Sequence, residues 1–310
     1  MSDSGDRGRT PTLDQLRVFA AVADAGSFSL AAQQLGRAQS AISYTVTNLE
    51  AQLGLTLFER TRRRPVLTEA GRVVLADARR VDGHMHELLA RAEGLTMGLE
   101  AEVSLGVDVM FPIDRLVGVL EDFAAMFPTV TLRLRMGPMG GVLRLVLERE
   151  CHLGIAGPSE SWPDPIAPNY LDAISLINVA APQHPLSRLD GLIPTRVLRD
   201  HTQLILTDRT HRTEGQMYGV YATRAWRIGD LGAKHRLLIA GLGWGSMPHH
   251  LVATDLAEGR LKRIRPADRL AVEYKLHRIT RADTHPGPAT RWLHERIALL
   301  APLDPPEWKV

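Results

Sequence analysis

Apolar and polar positions alternate with a helical period between residues 28 and 53. A small, alanine-rich segment at 29–35 is followed by the turn Gly36-Arg37-Ala38 and by a longer amphipathic segment at 39–53, which ends before Gly54. Along the longer segment, apolar side chains recur at steps of four, three and four residues, at Ile42, Val46, Leu49 and Leu53. This spacing places them on one face of an α-helix, and the glycine after them is typical of a helix C-cap.

The opposite face of the second predicted helix carries short or amide-bearing side chains: Gln39, Ser40, Ser43, Tyr44 and Thr47. Such side chains can donate and accept hydrogen bonds at the edges of DNA bases. A helix that is buried on one side and polar on the other, held by a preceding helix across a tight turn, predicts a helix-turn-helix. The alternative for this stretch alone is a helical hairpin whose polar face contacts only solvent.

Two short apolar runs flank an arginine-rich tip within residues 57–67. The tip contains Arg60, Arg62, Arg63 and Arg64, whose charges repel one another unless an anion lies near. Because the tip follows a candidate recognition helix, we interpret the two runs as the strands of a wing whose guanidinium groups contact DNA phosphates. The alternative is an ordinary solvated loop.

Helices are also predicted on either side of this region. Thr12 and Gln15 form a capping-box pattern that opens a first helix, after a tail at 1–11 that is expected to be disordered. The predicted buried face of that helix consists of Leu16, Phe19, Ala20 and Ala23.

A long helix is predicted over residues 69–97, with Thr68 as its N-cap. Its apolar positions follow a heptad spacing, at Val74, Ala78, Val81, Met85, Leu88, Ala92 and Leu95. Such a seam indicates a partner helix, and a dimer suits two operator half-sites related by a two-fold axis. The alternative is that the seam packs against its own domain. His84 and His86 are two positions apart and do not share a helix face, which argues against a metal site.

The pattern changes after a hinge-like segment at 98–100 to alternating strands and helices. Strands are predicted at 103–107, 130–135 and 152–156, with helices at 111–127 and 140–149 between them. This order indicates a parallel sheet with crossover helices. The proline-rich stretch 161–170 interrupts the pattern, and a second unit follows it. That unit has predicted strands at 174–181, 203–206, 221–228, 261–264 and 271–279, and predicted helices at 194–199, 231–240 and 289–300.

Residues 12–98 resemble the N-terminal domain of LysR-type transcriptional regulators, and the resemblance continues more loosely to about residue 300. It rests on the ordered motifs LDQLRVFAAVADAGSFSLAAQQLGRAQSAISYTVTNLEAQLG, LFER and LTEAG. By position, Gln39, Ser40, Ser43 and Tyr44 match the family's base contacts, and Arg63 matches a wing arginine. The chain departs from the family at Ala38, where Ser or Thr usually caps the recognition helix, and at Tyr44, where Arg is common. The usual half-site preference therefore does not carry over.

The resemblance implies an α/β protein with a winged helix-turn-helix at 12–68, a linker and dimerisation helix at 69–100, and an effector-binding domain at 101–310. That domain is expected to resemble periplasmic binding proteins, with subdomain I at about 101–170 and 280–310 and subdomain II at about 171–279. The implied partners are double-stranded operator DNA, a small-molecule effector of unknown identity, further copies of the chain in a dimer or tetramer, and RNA polymerase.

Ligands of open parallel sheets bind at the carboxyl ends of the strands, so the loops there are expected to contact the effector. The candidate residues are Asp108, Val109, Met110, Gly137, Pro138, Gly157, Thr207, Asp208, Arg209 and, within the loop 243–246, Trp244. The family usually has a hydroxyl in the first of these loops, so a carboxylate effector cannot be assumed here. Asp108 could pair with Arg209 or a cationic ligand, or be a surface or N-cap aspartate. Arg209 and Arg212 would suit an anionic effector, and Trp244 would lie either in the cleft or, as we favour, in the core.

Composition narrows the class of protein further. The chain is 45% hydrophobic and 23% charged, as in globular proteins. Its net charge of +2 means that nucleic-acid binding must rest on a local patch, which residues 60–64 supply.

The single cysteine, Cys151, excludes an intrachain disulfide and fits a reducing, cytoplasmic location. Because Cys151 adjoins an apolar strand and has no resolving partner, a core role is expected rather than redox sensing. Neither a signal peptide nor a membrane span is predicted.

No motif predicts a cofactor, a metal or catalysis. The glycine-rich segment 241–246 lacks the third glycine of a dinucleotide fingerprint, residues 137–141 are not followed by a P-loop lysine, and no Gly-x-Ser-x-Gly occurs. His249 and His250 are adjacent and cannot easily chelate one ion together. An enzyme is the weaker alternative. A ligand-binding protein whose N-terminal domain contacts only proteins is another, against which the clustered arginines argue.

Overall fold

The computed structural model describes residues 10–59, 64–138, 140–207, 220–267 and 272–302. The chain divides into two compact units, Met1–Glu93 and Gly94–Val310. Among the helices of the described ranges, none combines the length and the apolar character that crossing a bilayer requires.

The first unit contains three helices, a two-stranded hairpin and most of a long helix. Its elements are α1 (Leu13–Ala25), α2 (Phe28–Gln34), α3 (Gln39–Leu53), β1 (Phe58–Glu59), β2 (Val66–Leu67) and α4 (Glu69–Thr96). The predicted bounds of α3 are confirmed, as are its C-cap at Gly54, where φ is +67°, and the capping box of Thr12 and Gln15.

The core of this unit forms where α1, α2 and α3 meet the hairpin. The ring of Phe58 lies edge-on to Phe19, with ring centroids 5.4 Å apart, and to Phe28, at 5.6 Å. The predicted buried face of α1 was incomplete, because Val18 and Val22 are fully buried beside Phe19 while the other predicted residues are only partly buried. The reason is that α1 contacts both α2 and α3, so a wider face is covered than one stripe provides.

The second unit is built on a mixed nine-stranded sheet. Its first elements are β3 (Glu102–Asp108), α5 (Asp114–Met126), β4 (Thr131–Gly137), α6 (Gly141–Leu147) and β5 (Leu153–Ala156). They are followed by β6 (Ile166–Ala180), a 3-10 turn (Pro185–Arg188), α7 (Thr195–Arg199), β7 (Gln203–Leu206), β8 (Ala225–Ile228) and α8 (Leu231–Ile239). The last are β9 (Trp244–Pro248), α9 (His249–Ala257), β10 (Lys262–Ile264), β11 (Val272–Arg281) and α10 (Pro288–Ala298).

The strand order is β4-β3-β5-β11-β6-β9-β7-β8, with β10 pairing β6. Strand β3 is parallel to β4 and β5, which confirms the predicted parallel unit, and β7 is parallel to β8 and β9. The long antiparallel strands β6 and β11 pair with each other between these two groups. The core side chains of β3 and β5 lie beneath α5 and α10, whereas α6 covers the opposite face.

Several predicted elements were wrong in detail. Helix α5 begins at Asp114, after a turn in which the Phe111 amide donates to the Asp108 carbonyl, rather than at residue 111. The stretch 161–170 was predicted to interrupt the strands, yet β6 begins within it, at Ile166. Pro168 is tolerated because β6 pairs only with β11 along that part, so the missing N–H can face away from the sheet. Helix α9 was not predicted.

Candidate DNA-binding surface and effector site

Helix α3 buries one stripe and exposes the other face. Ile42, Val46 and Leu49 are buried in the core of the first unit. Of the predicted base-contacting side chains, Ser43 is half-buried and the others are exposed, namely Gln39, Ser40, Tyr44 and Thr47. Tyr44 is the most accessible large side chain among them, with 69% of its surface exposed. The helix therefore presents a polar, hydrogen-bonding face of the kind that enters a DNA groove.

The N-terminus of α3 has no side-chain cap. Ala38 occupies the N-cap position with extended backbone angles, and its methyl side chain makes no capping hydrogen bond. The departure from the usual Ser or Thr at this position therefore leaves the first amide groups of α3 without a hydroxyl cap.

The predicted wing is a hairpin in which Phe58 pairs with Leu67 and Glu59 with Val66. Its base is tied to α3 through Glu50, whose carboxylate accepts hydrogen bonds from the Leu57 and Phe58 amides at 2.7 and 3.3 Å. Glu50 was missed at the sequence level, because its partners are backbone groups that no motif specifies. At the tip, Arg64 is exposed, whereas Arg60, Arg62 and Arg63 lie outside the described residues.

The heptad seam of α4 divides into a covered part and an exposed part. Ala78 is buried and Val74 is partly buried in the core of the first unit. Further along, Val81, Leu88 and Leu95 have 45%, 58% and 52% of their surfaces exposed. The beginning of the helix therefore packs on its own unit, and the remainder is an exposed apolar stripe, for which contact with a partner helix stays a prediction.

Asp108 is the centre of the candidate effector site. It ends β3, and its side chain is fully buried, so the alternative of a surface aspartate was wrong. One carboxylate oxygen accepts a hydrogen bond from the Met110 amide at 2.8 Å, and the other accepts one from the Tyr274 hydroxyl at 2.8 Å. The carboxylate thus links the first loop of the parallel unit to strand β11.

A glycine allows the end of β5 to approach this pair, and the end of β4 lies beside the first loop. A Cβ on Gly157, just after β5, would lie 2.0 Å from the Tyr274 hydroxyl oxygen and 2.8 Å from Asp108 Oδ2. Gly137, at the end of β4, accepts a hydrogen bond from the Val109 amide at 3.2 Å. Strand ends β3, β4 and β5 therefore converge as predicted, and Tyr274 joins them. Sequence reasoning missed Tyr274 because it lies inside a strand, and β11 reaches this edge only through long-range pairing.

Two other predicted effector residues belong to the core. Met110 is a core residue with 5% of its surface exposed, because the turn after Asp108 directs it inward. Trp244 is fully buried in a core cluster against which Tyr221 also packs, which confirms the favoured core position. It lies at the start of β9, not after a strand. The segment 243–246 therefore enters the sheet and is not a loop at its carboxyl edge. Pro138 is half-buried, Thr207 donates its amide to the Ile228 carbonyl, and Asp208, Arg209 and Arg212 lie outside the described ranges.

A buried lysine lies on a helix that packs against the second half of the same sheet. Lys234 of α8 has 2% of its surface exposed, and its ammonium nitrogen donates to the Ser246 carbonyl at 2.7 Å. Burial alone lowers the pKa of Lys234 to about 7, since the charged form is poorly solvated there. It was not noticed in the sequence, because lysine is almost never fully buried.

Two predictions about cysteine and metal chemistry can be compared with the described part of the chain. Cys151 is buried against α6, which confirms the core role, and burial raises the pKa of its thiol. Within the described ranges, no three His, Cys, Asp or Glu side chains are arranged so that they could hold a metal ion.

Comparison with known proteins assigns both parts of the chain. Residues 13–72 match the family model described as a bacterial regulatory helix-turn-helix protein of the lysR family, and residues 97–300 match the LysR substrate binding domain. The probable HTH-type transcriptional regulator YhaJ of Escherichia coli K12 is 30% identical over 262 residues, which are 83% of this chain and 87% of that protein. The regulator PunR of the same organism is 31% identical over 251 residues, with 79% and 80% covered.

A solved structure shows a similar fold. The C206 mutant of OxyR from Corynebacterium glutamicum superposes with a TM-score of 0.51 at 21% identity, covering 94% of each chain. This family consists of transcriptional regulators and not of enzymes, so the enzymatic alternative is dropped. With both matched segments in the expected order, the chain belongs to the LysR family of DNA-binding transcriptional regulators with a substrate-binding domain.

Proposed function

We propose that this regulator reads its operator with α3 in the major groove, and that the arginine tip at 60–64 contacts the adjacent backbone. The base-contacting set is Gln39, Ser40, Ser43, Tyr44 and Thr47, and the phosphate-contacting set is Arg60, Arg62, Arg63 and Arg64. The observation that carries the proposal is the two-sided character of α3, which buries Ile42, Val46 and Leu49 while its polar side chains remain accessible.

The test is footprinting of the purified protein on the DNA upstream of its own gene, at two salt concentrations and against scrambled competitor. A protected, roughly two-fold symmetric site that survives the competitor is expected. If that DNA is not protected, selection of bound genomic fragments provides the site. Failure to select any fragment over scrambled DNA would contradict sequence-specific reading.

The role of Tyr44 can be separated from that of the wing. Tyr44→Ala should relax specificity by about 1–3 kcal/mol, because a base contact is lost while the phosphate contacts remain. The matched control is Arg80→Ala, which removes an exposed side chain of α4 that pairs with Asp77. If Tyr44→Ala weakened binding to operator and scrambled DNA equally, Tyr44 would contact the backbone instead.

The effector is proposed to bind at the carboxyl ends of β3, β4 and β5. The proposed lining consists of Asp108, Val109, Gly137, Pro138, Gly157 and Tyr274, together with Thr207, Asp208 and Arg209, which follow β7 in the chain. This assignment is supported by the convergence of Asp108, Gly157 and Tyr274 at one point. Trp244 and Met110 are left out of the lining because they are core residues.

A small-molecule screen tests this site through two readouts, the thermal midpoint and the affinity for the operator. A ligand that binds only the folded protein raises the midpoint, and a regulatory ligand also changes DNA affinity, footprint or bend. Tyr274→Phe should alter the response, whereas Tyr170→Phe, whose tyrosine is 61% exposed on β6, should not. A screen in which no compound alters DNA affinity, footprint or bend would count against the effector proposal.

The exposed part of the α4 seam is proposed to hold two copies together, with a tetramer as the working form. Such an assembly would place two recognition helices on successive half-sites, and the effector would change its geometry and hence its contact with RNA polymerase. Support comes from the exposure of Val81, Leu88 and Leu95 on one heptad face.

A further inference from the structure

The turn before the recognition helix has almost no burial to hold it. Every residue from 33 to 41 is exposed, a stretch that includes the end of α2, the whole turn and the first residues of α3. The buried residues of α3 begin only at Ile42. Gly36 adopts a left-handed conformation with φ of +61°, and Ala38 provides no cap. The part of α3 that carries Gln39 and Ser40 is therefore not positioned by packing.

One side chain ties this stretch to the rest of the unit. Arg37 donates two hydrogen bonds to Asp14 in the first turn of α1, from Nη1 to Oδ2 at 2.9 Å and from Nη2 to Oδ1 at 2.8 Å. Within the described residues, no other side chain of 33–41 makes a hydrogen bond or an ion pair. The bidentate geometry fixes direction as well as distance.

Helix α1 is itself held in place by contacts with α4 and with the core of the unit. Its other charged side chains pair with α4, Arg17 with Asp82 and Asp24 with Arg79. Its buried face, which includes Phe19, lies in the core of the unit. The hydrogen bonds from Arg37 to Asp14 therefore hold the start of α3 in a defined position relative to the core of the unit. The Arg37 guanidinium lowers the pKa of the Asp14 carboxyl, and the carboxylate raises the pKa of Arg37, so both stay charged.

We propose that Asp14 and Arg37 are a positioning pair for DNA recognition, in which the acidic residue sets the orientation of the first turn of α3. This inference rests on the proposed insertion of α3 into the groove. It assigns Arg37 to a protein contact and not to a phosphate, because both of its terminal nitrogens are directed at Asp14. It also assigns a favourable role in specific binding to an acidic side chain on the DNA-binding unit.

The sign of the effect distinguishes positioning from simple charge. Removing a negative charge near DNA should strengthen binding to every sequence, since repulsion of the phosphates is reduced. Removing a positioning contact should weaken only the operator complex. Asp14→Asn is therefore expected to weaken operator binding by roughly tenfold, as for a displaced base contact, and to leave scrambled DNA bound as tightly or more tightly.

The matched control is Asp24→Asn, which removes a comparably exposed carboxylate from the other end of α1 and breaks its pair with Arg79. It should leave the ratio of operator to scrambled affinity unchanged. Arg37→Ala should lower that ratio like Asp14→Asn, without changing the slope of log affinity against log salt. The double variant Asp14→Arg with Arg37→Asp should recover the ratio, because the pair is re-formed in the opposite sense.

Three results would overturn the inference. The first is equal strengthening of both complexes by Asp14→Asn, and the second is a salt slope reduced by about one contact in Arg37→Ala, which would make Arg37 a phosphate ligand. The third is a decrease in the ratio of operator to scrambled affinity that is as large in Asp24→Asn as in Asp14→Asn. Failure of the underlying proposal is recognised separately: the unsubstituted protein would not discriminate the selected operator from scrambled DNA, or Tyr44→Ala would leave the discrimination intact.

Discussion

Lys234→Met should stabilise the second unit and remove much of its dependence on pH. The lysine is buried and has a pKa of about 7, against 10.5 for the free side chain. Below pH 10.5 the unfolded chain keeps the proton, whereas the folded unit loses it as the pH rises through 7. The unfolded state therefore binds more protons in this window, and the free energy of unfolding must increase with pH.

The magnitude follows from the size of the shift. A difference of about 3.5 pKa units corresponds to about 5 kcal/mol of destabilisation at low pH, of which about 4 kcal/mol persists at pH 7. Between pH 7 and pH 9 the destabilisation caused by Lys234 should decrease by about 2 kcal/mol. Methionine cannot titrate, so this rise should be absent in Lys234→Met. The variant loses the hydrogen bond to Ser246, at about 1 kcal/mol, and should still be more stable at pH 7 by about 2–3 kcal/mol.

Tryptophan fluorescence makes the assay specific for the second unit, because all five tryptophans of the chain lie at or beyond position 162. Denaturant unfolding of both proteins at several pH values between 7 and 9 gives the difference in their free energies of unfolding. The contributions of the other titrating groups are the same in both proteins and cancel in this difference. Parallel pH profiles for the two proteins would refute the reasoning. They would mean that the ammonium is solvated in the folded state.

Three further outcomes are expected. Tyr274→Phe should lower the unfolding free energy of the second unit by about 1–3 kcal/mol, because buried Asp108 loses a donor; Tyr170→Phe serves as the exposed control, and equal losses in both would contradict the assignment. Leu88→Glu should shift the protein to a smaller species in light scattering, whereas Arg91→Glu, off the seam, should not; an unchanged mass would place the interface elsewhere. Arg63→Ala should weaken operator and scrambled DNA alike and reduce the salt slope by about one contact; a loss confined to the operator would point to a base contact.

Local signals allowed much of the first unit to be predicted. The bounds of α3, the glycine C-cap and the capping box at Thr12 depend on residues within one or two helical turns, so the chain carries that information in its spacing. The parallel order of β3, β4 and β5 was equally accessible, because crossover helices leave a regular pattern. The exposure of the polar side of α3 follows from the same periodicity.

Errors arose where a segment's role depended on its neighbours in space. The segment 243–246 was assigned to a loop at the carboxyl edge of the sheet, but pairing with β6 and β7 makes its residues part of β9. Trp244 itself is buried, as favoured from the sequence. Pro168 suggested an interruption of the strand. β6 nevertheless accommodates it, because this part of β6 pairs with β11 on one side and, within the described residues, has no strand on the other. Proline restricts the local backbone and glycine loosens it, but neither residue specifies which strand lies beside it.

The sequence by itself determined the helix-turn-helix, the wing, the heptad seam and the α/β order, since each of these rests on short-range periodicity and capping. Only the tertiary structure decided that Tyr274 meets Asp108 across a separation of 166 residues, that Arg37 reaches Asp14, and that Lys234 is buried. These contacts depend on strand register and helix packing, which join residues far apart in the chain. No local spacing specifies them, because the free energy that creates them comes from assembling the whole core.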